Sequence, residues 1–172
     1  MALTDMRDYL AVLEQRGLVR RVSEEVDPAW EIGCMVKWGF QALPEKDRFG
    51  FLFDTVKGST IPVAAGALGA SEEAYAVGLG VEPDEINAKW EEALLNPIAP
   101  VTVGNAPCHD VVIEGDAVDL GLLPVPTWTP GKDAGPYVTA IVVTRDADTD
   151  VQNYGVYRTQ VLGADRMVSN MS

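Results

Sequence analysis

Residues 136–163, PYVTAIVVTRDADTDVQNYGVYRTQVLG, decide the fold of the second half of the chain. Two runs in this stretch, at 136–146 and 151–163, are rich in the β-branched and aromatic residues that strands favour. The short acidic segment DADTD (146–150) between them has the composition of a turn. A second turn-like segment, GADR (163–166), precedes the start of another strand. Consecutive strands joined by turns predict an antiparallel sheet or barrel.

The first 98 residues differ, because helical periodicity alternates there with short apolar runs. In chain order the pattern first predicts a helix capped by Thr4 and ended by Gly17, and then a strand at 18–22. A second predicted helix is capped by Asp27, has Pro28 at its first position and reaches Ala42. Strands at 50–56 and 61–68 follow, and then helices that begin at Ser71 and Pro83. This order indicates an α/β domain over residues 1–98.

Residues 99–172 then form the incomplete start of a second, mainly β domain. Its first predicted strand lies in CHDVVIEGDAVD (108–119), after a proline-containing connector. In the α/β half, Trp30, Trp38 and Trp90 fall on predicted helices, and we expect these large apolar side chains in the core.

Composition limits the function classes. The chain of 172 residues carries 13 Lys and Arg against 26 Asp and Glu, which gives a formal net charge of −13. This charge repels phosphate backbones and anionic bilayers, so we expect neither nucleic acid nor a membrane as a partner. Cys34 and Cys108 lack metal-type spacing and the charged N-terminus is unlike a secretory leader. The sequence therefore favours a cytoplasmic protein with reduced thiols.

Two groups of polar residues give weak indications of a catalytic or metal-binding site. His109 is the only histidine, and without a paired carboxylate it is interpreted as a surface or core residue rather than a catalytic base. Asp146, Asp148 and Asp150 have the spacing of a calcium loop but lack its glycine and its distal glutamate. A solvated hairpin turn is the better interpretation of this acidic cluster.

A proline-rich loop, DLGLLPVPTWTPGKDAGPY (119–137), leads into the first strand of the quoted stretch. Pro124, Pro126 and Pro130 fix the backbone and remove hydrogen-bond donors, so the loop is stiff. It forms either a wall beside a pocket or a rigid surface crossover, and proline rigidity does not decide between them.

Polar residues interrupt the second strand in QNYGVYRTQ (152–160). Alternation places Asn153 and Arg158 on opposite faces, with about 16 Å of extended chain between them at about 3.3 Å per residue. Gly155 marks either a bulge or the close approach of another body. A long planar ligand along the strand would suit both ends, with phosphate and metal near Asn153 and a carboxylate near the forked donor of Arg158. The alternative is a strand whose polar residues only face water.

Two long segments carry a specific signature. DLGLLPVPTWTPGKDAGPYVTAIVVTRD (119–146) and NYGVYRTQVLG (153–163) contain Asp-Leu, Leu-Pro-x-Pro, Gly-Pro-Tyr-x-Thr and Asn-x-Gly-x-Tyr-Arg-x-Gln motifs in that order. In these motifs the chain resembles the N-terminal part of the UbiD family of reversible decarboxylases, which use prenylated FMN. FLFDTVKGSTIPVAAGALGAS (51–71) is similar to the strand pair of the family's first domain. The resemblance implies that residues 99–172 begin a split β-barrel that binds the flavin.

The resemblance also implies a set of site residues. Asn153 would be a ligand of the divalent metal, usually manganese, with or without potassium, that holds the cofactor phosphate. Arg158 would face the substrate carboxylate. The residues that would line the prenylated FMN are Val156, Tyr157 and Arg158 and, on the next strand, Asn170, Met171 and Ser172. At those last three positions the sequence departs from the commoner pattern, which has a Trp or Arg there. The family's metal-binding His and Glu and its proton-donating Glu would lie downstream of residue 172.

The function implied by the resemblance is removal of carbon dioxide from an aromatic or α,β-unsaturated carboxylic acid, with the cofactor as electron sink. A flavin prenyltransferase would supply the cofactor, and a downstream domain would make the full-length protein a homo-oligomer. The 172-residue chain alone would then be inactive. The alternative is a non-catalytic module that binds flavin or a partner subunit.

Overall fold

The computed structural model of the chain describes residues 3–170. Its contacts divide the chain into two compact units that interleave along the sequence. The first unit contains the residues up to Val22, Val36–Phe53 and Ala64–Ala117, and the second contains Ser23–Met35, Asp54–Val63 and the chain from Val118 onward. The domain boundary predicted at residue 98 follows the change in sequence character rather than these contacts, and it stays a prediction.

Helices and short strands alternate in the first half of the chain. They are α1 (Met6–Gln15), β1 (Val19–Val22), α2 (Glu31–Ala42), β2 (Gly50–Phe53), β3 (Val63–Ala65), α3 (Glu72–Leu79) and α4 (Ile86–Leu95), with short 3-10 helices at Glu45–Asp47 and Pro83–Glu85. The strands form one sheet in the order β1-β2-β3, and β1 runs parallel to β2 with Val19 opposite Gly50. The α/β character predicted for this half is confirmed. Within residues 3–170, no helix is long and apolar enough to cross a bilayer.

A small apolar core holds the first unit together. Tyr9 and Leu13 of α1 pack with Val19 of β1 and with Ala74 and Val77 of α3, and all five side chains are buried. Tyr9 and Leu13 stand four residues apart, which is the helical periodicity visible in the sequence. The Tyr9 hydroxyl donates to the Ala74 carbonyl oxygen (2.9 Å), so its buried polar atom has a partner. Burial of the ring raises the pKa of Tyr9.

The start of α1 corrects one prediction. Asp5 rather than Thr4 caps the helix, because the Asp5 carboxylate accepts from the backbone N–H groups of Arg7 (2.7 Å) and Asp8 (3.0 Å). Thr4 instead donates from its N–H and its hydroxyl to the Asp8 carboxylate, and the hydroxyl contact is the main reason that the pKa of Asp8 is lowered. Gly17 follows the helix with a φ of 73°, as its predicted role as the end of the helix requires.

The start of α2 also differs from the prediction. The helix begins at Glu31 rather than at Pro28, because Asp27 opens a separate turn first. In that turn the Asp27 carboxylate accepts from the Ala29 N–H (2.9 Å). Asp27 therefore satisfies the local backbone as a capping residue would, but one turn before the regular helix.

The tryptophans expected in the core are exposed, so that prediction is wrong. Trp30, Trp38 and Trp90 leave 51%, 56% and 45% of their surfaces accessible. On α2 the buried positions include Ile32 and Gly39, which lie on a different side of the helix from Trp38, and Trp30 lies in the turn before the helix. The size of an aromatic ring indicates how much apolar area a residue carries, but its helical position decides whether that area meets the core.

The second unit contains an antiparallel sheet. Its strands are β4 (Tyr137–Arg145), β5 (Gln152–Gly163) and β6 (Arg166–Ser169), in the order β4-β5-β6. β4 and β5 pair without interruption from Tyr137 opposite Gln160 to Arg145 opposite Gln152. The antiparallel arrangement predicted from the quoted stretch is confirmed.

The turn between β4 and β5 is built on its acidic residues. The Asp146 carboxylate accepts from the Thr149 N–H (2.7 Å), the Thr149 hydroxyl (2.8 Å) and the Asp148 N–H (3.0 Å), and these bonds, those from Thr149 foremost, lower the pKa of Asp146. Asp150 has a φ of 59° and its carboxylate meets the Arg145 guanidinium at 3.0 Å. The acidic cluster is a hairpin turn, as the sequence indicated.

The strand predicted at 108–119 is absent from the described residues, and the prediction is wrong. Short 3-10 helices occupy Pro107–His109 and Gly115–Ala117. Val111 and Val112 between them expose 78% and 64% of their surfaces. β-branched residues favour a strand only where a neighbouring strand offers hydrogen bonds and packing, and no described strand pairs with this segment.

The proline-rich loop packs closely on the first turns of α2. A Cβ atom on Gly33 would lie 2.7 Å from the Trp128 carbonyl oxygen and 2.8 Å from that of Thr127. The Thr127 N–H donates to the Pro28 carbonyl oxygen (3.0 Å), which fixes the same approach. Position 33 therefore requires glycine because there is no room for a Cβ atom. Backbone conformation is not the reason, since its φ is negative and other residues adopt it equally well.

We predict that Gly33→Ala destabilises the chain by about 1–3 kcal/mol, because the methyl group would collide with two backbone carbonyls that are held in place. Gly39→Ala in the same helix is the control, since its Cβ would lie 3.4 Å from the Phe51 ring, an ordinary contact. The control should be neutral or stabilising by up to about 1 kcal/mol, from helix propensity. Urea unfolding of both variants measures the difference, and equal stabilities would contradict the close packing of the loop.

Candidate functional site

The proline-rich loop forms a fixed wall beside one end of the antiparallel sheet. The Tyr137 N–H donates to the Pro126 carbonyl oxygen (3.3 Å), and the Trp128 indole N–H donates to the Tyr137 carbonyl oxygen (3.0 Å). The Val161 N–H donates to the Pro136 carbonyl oxygen (3.0 Å). The loop is thus bonded to both β4 and β5, which favours the wall over the surface crossover.

A cavity of about 400 Å³ lies between this wall and the sheet. Its lining comes from the loop (Asp133, Ala134 and Gly135), from β4 and β5 (Tyr137, Arg158 and Gln160) and from the end of β6 (Val168, Ser169 and Asn170). The volume falls in the range of sites for small molecules, and the lining combines a cation, a carboxylate, two amides and an aromatic ring. It is the candidate site.

A cavity of similar size, about 420 Å³, lies in the first unit beside the start of α3. Two of its charged groups already have partners in the protein. The Arg48 guanidinium donates to the Leu43 carbonyl oxygen (3.1 Å), and the Glu45 carboxylate accepts from the Glu72 N–H (3.0 Å). Two residues singled out in the sequence, Arg158 and Asn170, line the other cavity, so we place the candidate site at the antiparallel sheet.

Arg158 is the central group of the candidate site. Within residues 3–170 its guanidinium makes no hydrogen bond and no ion pair, and its recorded neighbour is the Tyr137 ring, whose centroid lies 5.8 Å from Cζ. By contrast, Arg21 and Arg145 meet the carboxylates of Glu14 and Asp150. In a chain with twice as many acidic as basic residues, an arginine without a carboxylate partner has its donors available for a ligand.

Two buried hydroxyl groups on β5 and β6 lack partners, and of these two residues only Ser169 lines the cavity. The side-chain oxygens of Thr159 and Ser169 are buried and make no hydrogen bond with the described residues. The two residues lie opposite each other on β5 and β6. Since buried hydroxyls are almost always satisfied in proteins, these two indicate a place where a polar ligand or a water molecule belongs.

One edge of β5 is open along part of its length. β6 pairs with β5 only from Thr159 onward, where Thr159 stands opposite Ser169. No described strand pairs with residues 152–158 on that side, while β4 covers the other side. Among the described residues, the backbone groups at 152–158 therefore have no strand partner on this side, and β6, which runs antiparallel to β5, ends opposite Thr159.

Asn153 and Arg158 lie at the two ends of the open edge, on opposite faces of the strand as predicted. Asn153 is exposed and stands opposite Thr144, and Arg158 stands opposite Thr139. The face of Arg158 also carries Val156, which exposes 70% of its surface. Among the described residues no three His, Cys, Asp or Glu side chains cluster as a metal site, so Asn153 stands without an acidic or imidazole ligand set.

Gly155 provides room for an aromatic ring rather than for a bulge. The register between β4 and β5 is unbroken at this position, and the irregularity of the strand lies at Val161 and Gly163 instead. A Cβ on Gly155 would lie 2.7 Å from Cζ and 2.8 Å from the hydroxyl oxygen of Tyr157. The close approach predicted at this glycine is therefore made by the ring two residues further along the same face.

The structure brings some of the predicted residues together and adds others. Arg158 and Asn170 share the cavity, whereas Asn153 lies away from it. Met171 and Ser172 lie outside the described residues.

Sequence reasoning did not assign a role to the following cavity residues: Tyr137, Gln160 and Asp133. The Gly-Pro-Tyr motif contained the signal for Tyr137, and QNYGVYRTQ contained it for Gln160, but only the pairing of β4 with β5 makes these two neighbours. His109 is exposed on its 3-10 helix.

Comparison with protein families accounts for most of the chain. Residues 10–94 match the 3-octaprenyl-4-hydroxybenzoate carboxy-lyase N-terminal domain, and residues 100–172 match the Rift-related domain of the same carboxy-lyase. The chain belongs to the UbiD family, as its motifs indicated.

Solved structures of this family are similar over nearly the whole chain. The UbiD-class enzyme HmfF from Pelotomaculum thermopropionicum in complex with FMN is 37% identical, with a TM-score of 0.83 over 96% of this chain and 36% of that one. An evolved dimeric form of HmfF in complex with prFMN is 34% identical, with a TM-score of 0.82 over 96% and 38%. The apo 3,4-dihydroxybenzoic acid decarboxylase of Enterobacter cloacae is 29% identical, with a TM-score of 0.87 over 100% and 37%. The chain thus spans little more than a third of each relative.

We predict that Gly155→Ala displaces the Tyr157 ring and destabilises the sheet by about 1–3 kcal/mol, because a methyl group and the ring cannot occupy the same space. Gly163→Ala on the same strand is the control, since nothing lies within 4 Å of its Cβ position. Spectra of tyrosine labelled with carbon-13 in the ring, with the Tyr157 signal assigned by Tyr157→Phe, report the ring directly. A Tyr157 signal that does not move in Gly155→Ala would contradict the contact.

Proposed function

We propose that the chain is the N-terminal part of a decarboxylase that depends on prenylated FMN (prFMN) and removes carbon dioxide from an aromatic or α,β-unsaturated carboxylic acid. The observation that carries the proposal is the Arg158 guanidinium, which has no carboxylate partner in the described residues and lines a cavity of about 400 Å³. Membership of the UbiD family supports the reaction class. The FMN and prFMN complexes of HmfF support the cofactor, and the Enterobacter relative supports an aromatic acid.

The residues present fit a flavin nucleotide. The open edge at 152–158 offers backbone groups to a long planar molecule, and the two unpartnered hydroxyls of Thr159 and Ser169 lie where the edge closes. Val156 and Tyr157 would contact the cofactor chiefly through this backbone. Asn170, which lines the cavity, would contact it from β6. Met171 and Ser172 remain candidates by their position in the sequence.

Decarboxylation leaves an electron pair on carbon, and prFMN supplies the electron sink that the side chains lack. The role of Arg158 is to bind and orient the carboxylate. Its planar fork matches the two carboxylate oxygens, and two parallel hydrogen bonds fix the direction in which carbon dioxide departs. Arg158 is not assigned the product proton, because a guanidinium does not act as a proton donor in proteins. That proton donor would come from the part of the full-length protein that follows.

Asn153 would serve the other end of the cofactor. Its amide oxygen is a hard, neutral donor suited to Mn²⁺, or to K⁺ beside it, and such an ion would hold the cofactor phosphate. About 16 Å of strand separates it from Arg158 at about 3.3 Å per residue, a length that keeps phosphate and reacting ring apart. One amide oxygen does not complete a coordination sphere, so further ligands would come from outside residues 3–170.

The remaining proposals concern the whole protein. Residues 99–172 would begin a split β-barrel, of which the sheet β4-β5-β6 is the first part. The full-length protein would form homo-oligomers, and a flavin prenyltransferase would supply its cofactor. The exposed thiols of Cys34 and Cys108, neither of them in a disulfide, suit a reducing cytoplasmic setting.

We predict that Arg158→Lys in the full-length protein lowers the decarboxylation rate on the order of 100-fold, because lysine keeps the charge but loses the planar fork. Flavin occupancy should change little, since the cofactor contacts at Val156 and Tyr157 are mainly backbone. Arg7→Lys on α1, an exposed arginine far along the chain from the site, is the matched control and should keep the rate. Turnover of a panel of cinnamic and benzoic acids, measured with flavin content in the same preparation, tests this. An undiminished rate at full occupancy would show that Arg158 only balances charge.

We predict that Asn153→Ala in the full-length protein lowers manganese and flavin content together, because a ligand oxygen is lost that no described neighbour replaces. Gln152→Ala, a change at the adjacent exposed position, serves as the control and should retain both. Metal analysis and flavin absorbance after gel filtration supply the measurement. Wild-type contents in Asn153→Ala would remove this residue from the metal site.

A further inference from the structure

We propose that Tyr137 is a positioning residue for Arg158, and that its ring sets the guanidinium in the orientation that receives the substrate carboxylate. The inference rests on the role of Arg158 proposed above. Its starting point is the position of the guanidinium over the Tyr137 ring, with Cζ 5.8 Å from the centroid. This distance lies within the range of a cation–π interaction.

The ring of Tyr137 is a fixed support. Both backbone polar groups of the residue are bonded to the proline-rich loop, the N–H to Pro126 (3.3 Å) and the carbonyl to the Trp128 indole (3.0 Å). Across the sheet Tyr137 stands directly opposite Gln160, and Arg158 is the diagonal neighbour on the same face. Because the backbone is held independently of the ring, a change of the side chain leaves the support of the loop in place.

The guanidinium needs such a support. Arg158 is exposed and its side chain is long, so without a partner it would sample many rotamers. The acidic residue that lines the same cavity, Asp133, does not hold it, because the Asp133 carboxylate accepts from the Thr129 N–H (2.6 Å).

An aromatic support differs from an acidic one in a way that matters for the reaction. A carboxylate partner would occupy the forked donors and compete with the carboxylate of the substrate. The face of a ring attracts the cation through its quadrupole and leaves the N–H groups in the plane of the fork available. Tyr137 therefore orders Arg158 without neutralising it.

The test uses Tyr137→Leu and Tyr137→Phe in the full-length enzyme loaded with cofactor. Tyr137→Leu should lower kcat/KM roughly tenfold, mainly through a higher KM for the acid, since the ring contact with the cation is lost. Tyr137→Phe keeps the ring and should restore most of the activity. Tyr75→Leu, on α3 and outside both the cavity lining and residues 152–158, should leave the activity unchanged. In the Arg158→Lys background, Tyr137→Leu should have a smaller effect than in the wild type.

A second readout does not depend on activity. The Arg158 Nε–H signal in nitrogen-15 spectra of the chain, assigned by Arg158→Lys, is expected to shift in Tyr137→Leu and to remain in place in Tyr137→Phe, because the ring current disappears only in the first. If Tyr137→Leu does not fold, Tyr137→Met provides the same comparison.

The two proposals fail in different ways. An unchanged Arg158 signal and an unchanged KM in Tyr137→Leu, together with a slow Arg158→Lys enzyme, would overturn the positioning role and leave the proposed function intact. A fully active Arg158→Lys enzyme would instead overturn the proposed role of Arg158, and with it the basis of the inference.

Discussion

The candidate site depends on the contact between the proline-rich loop and α2. With no Cβ at Gly33, the carbonyls of Thr127 and Trp128 approach the helix to a distance that no other residue allows. From there the Trp128 indole reaches the Tyr137 carbonyl and fixes the first residue of β4. The Tyr137 ring then lies beneath Arg158. The absence of a side chain at Gly33 on α2 thus influences, through three successive contacts, the position of the Arg158 guanidinium on β5.

The electrostatic interaction of the chain with an anion differs between long range and short range. A formal charge of −13 disfavours the approach of an anion from a distance, but screening limits this repulsion to about 8–10 Å at physiological salt. Inside the cavity an anion meets a guanidinium that no carboxylate of the described residues neutralises. In the proposed function, selection of a carboxylate would therefore rest on local geometry, the forked donor of Arg158 over the Tyr137 ring, and not on attraction by the protein as a whole. The net charge therefore predicts against large polyanions as partners and gives no information about a small acid.

The sequence predicted features that depend on neighbouring residues and missed those that depend on distant ones. Ser71 caps α3, and the β4–β5 hairpin follows its alternation and its acidic turn, because each is determined within a few residues. The prediction of a strand at 108–119 was wrong because a strand requires a partner strand. The prediction that Trp38 is buried was wrong because the size of a ring does not specify which face of a helix it lies on. In the site, Arg158 could be named from its motif. Tyr137 could not, since its relation to Arg158 exists only once β4 and β5 pair.

The bonds between the proline-rich loop and the sheet have a consequence for hydrogen exchange. The Tyr137 N–H donates to the Pro126 carbonyl oxygen and the Val161 N–H donates to the Pro136 carbonyl oxygen, so the acceptors of both amides lie in the loop. Exchange of these two amides with solvent requires the loop to separate from the strands. Opening of the loop therefore exposes amides of β4 and β5 together.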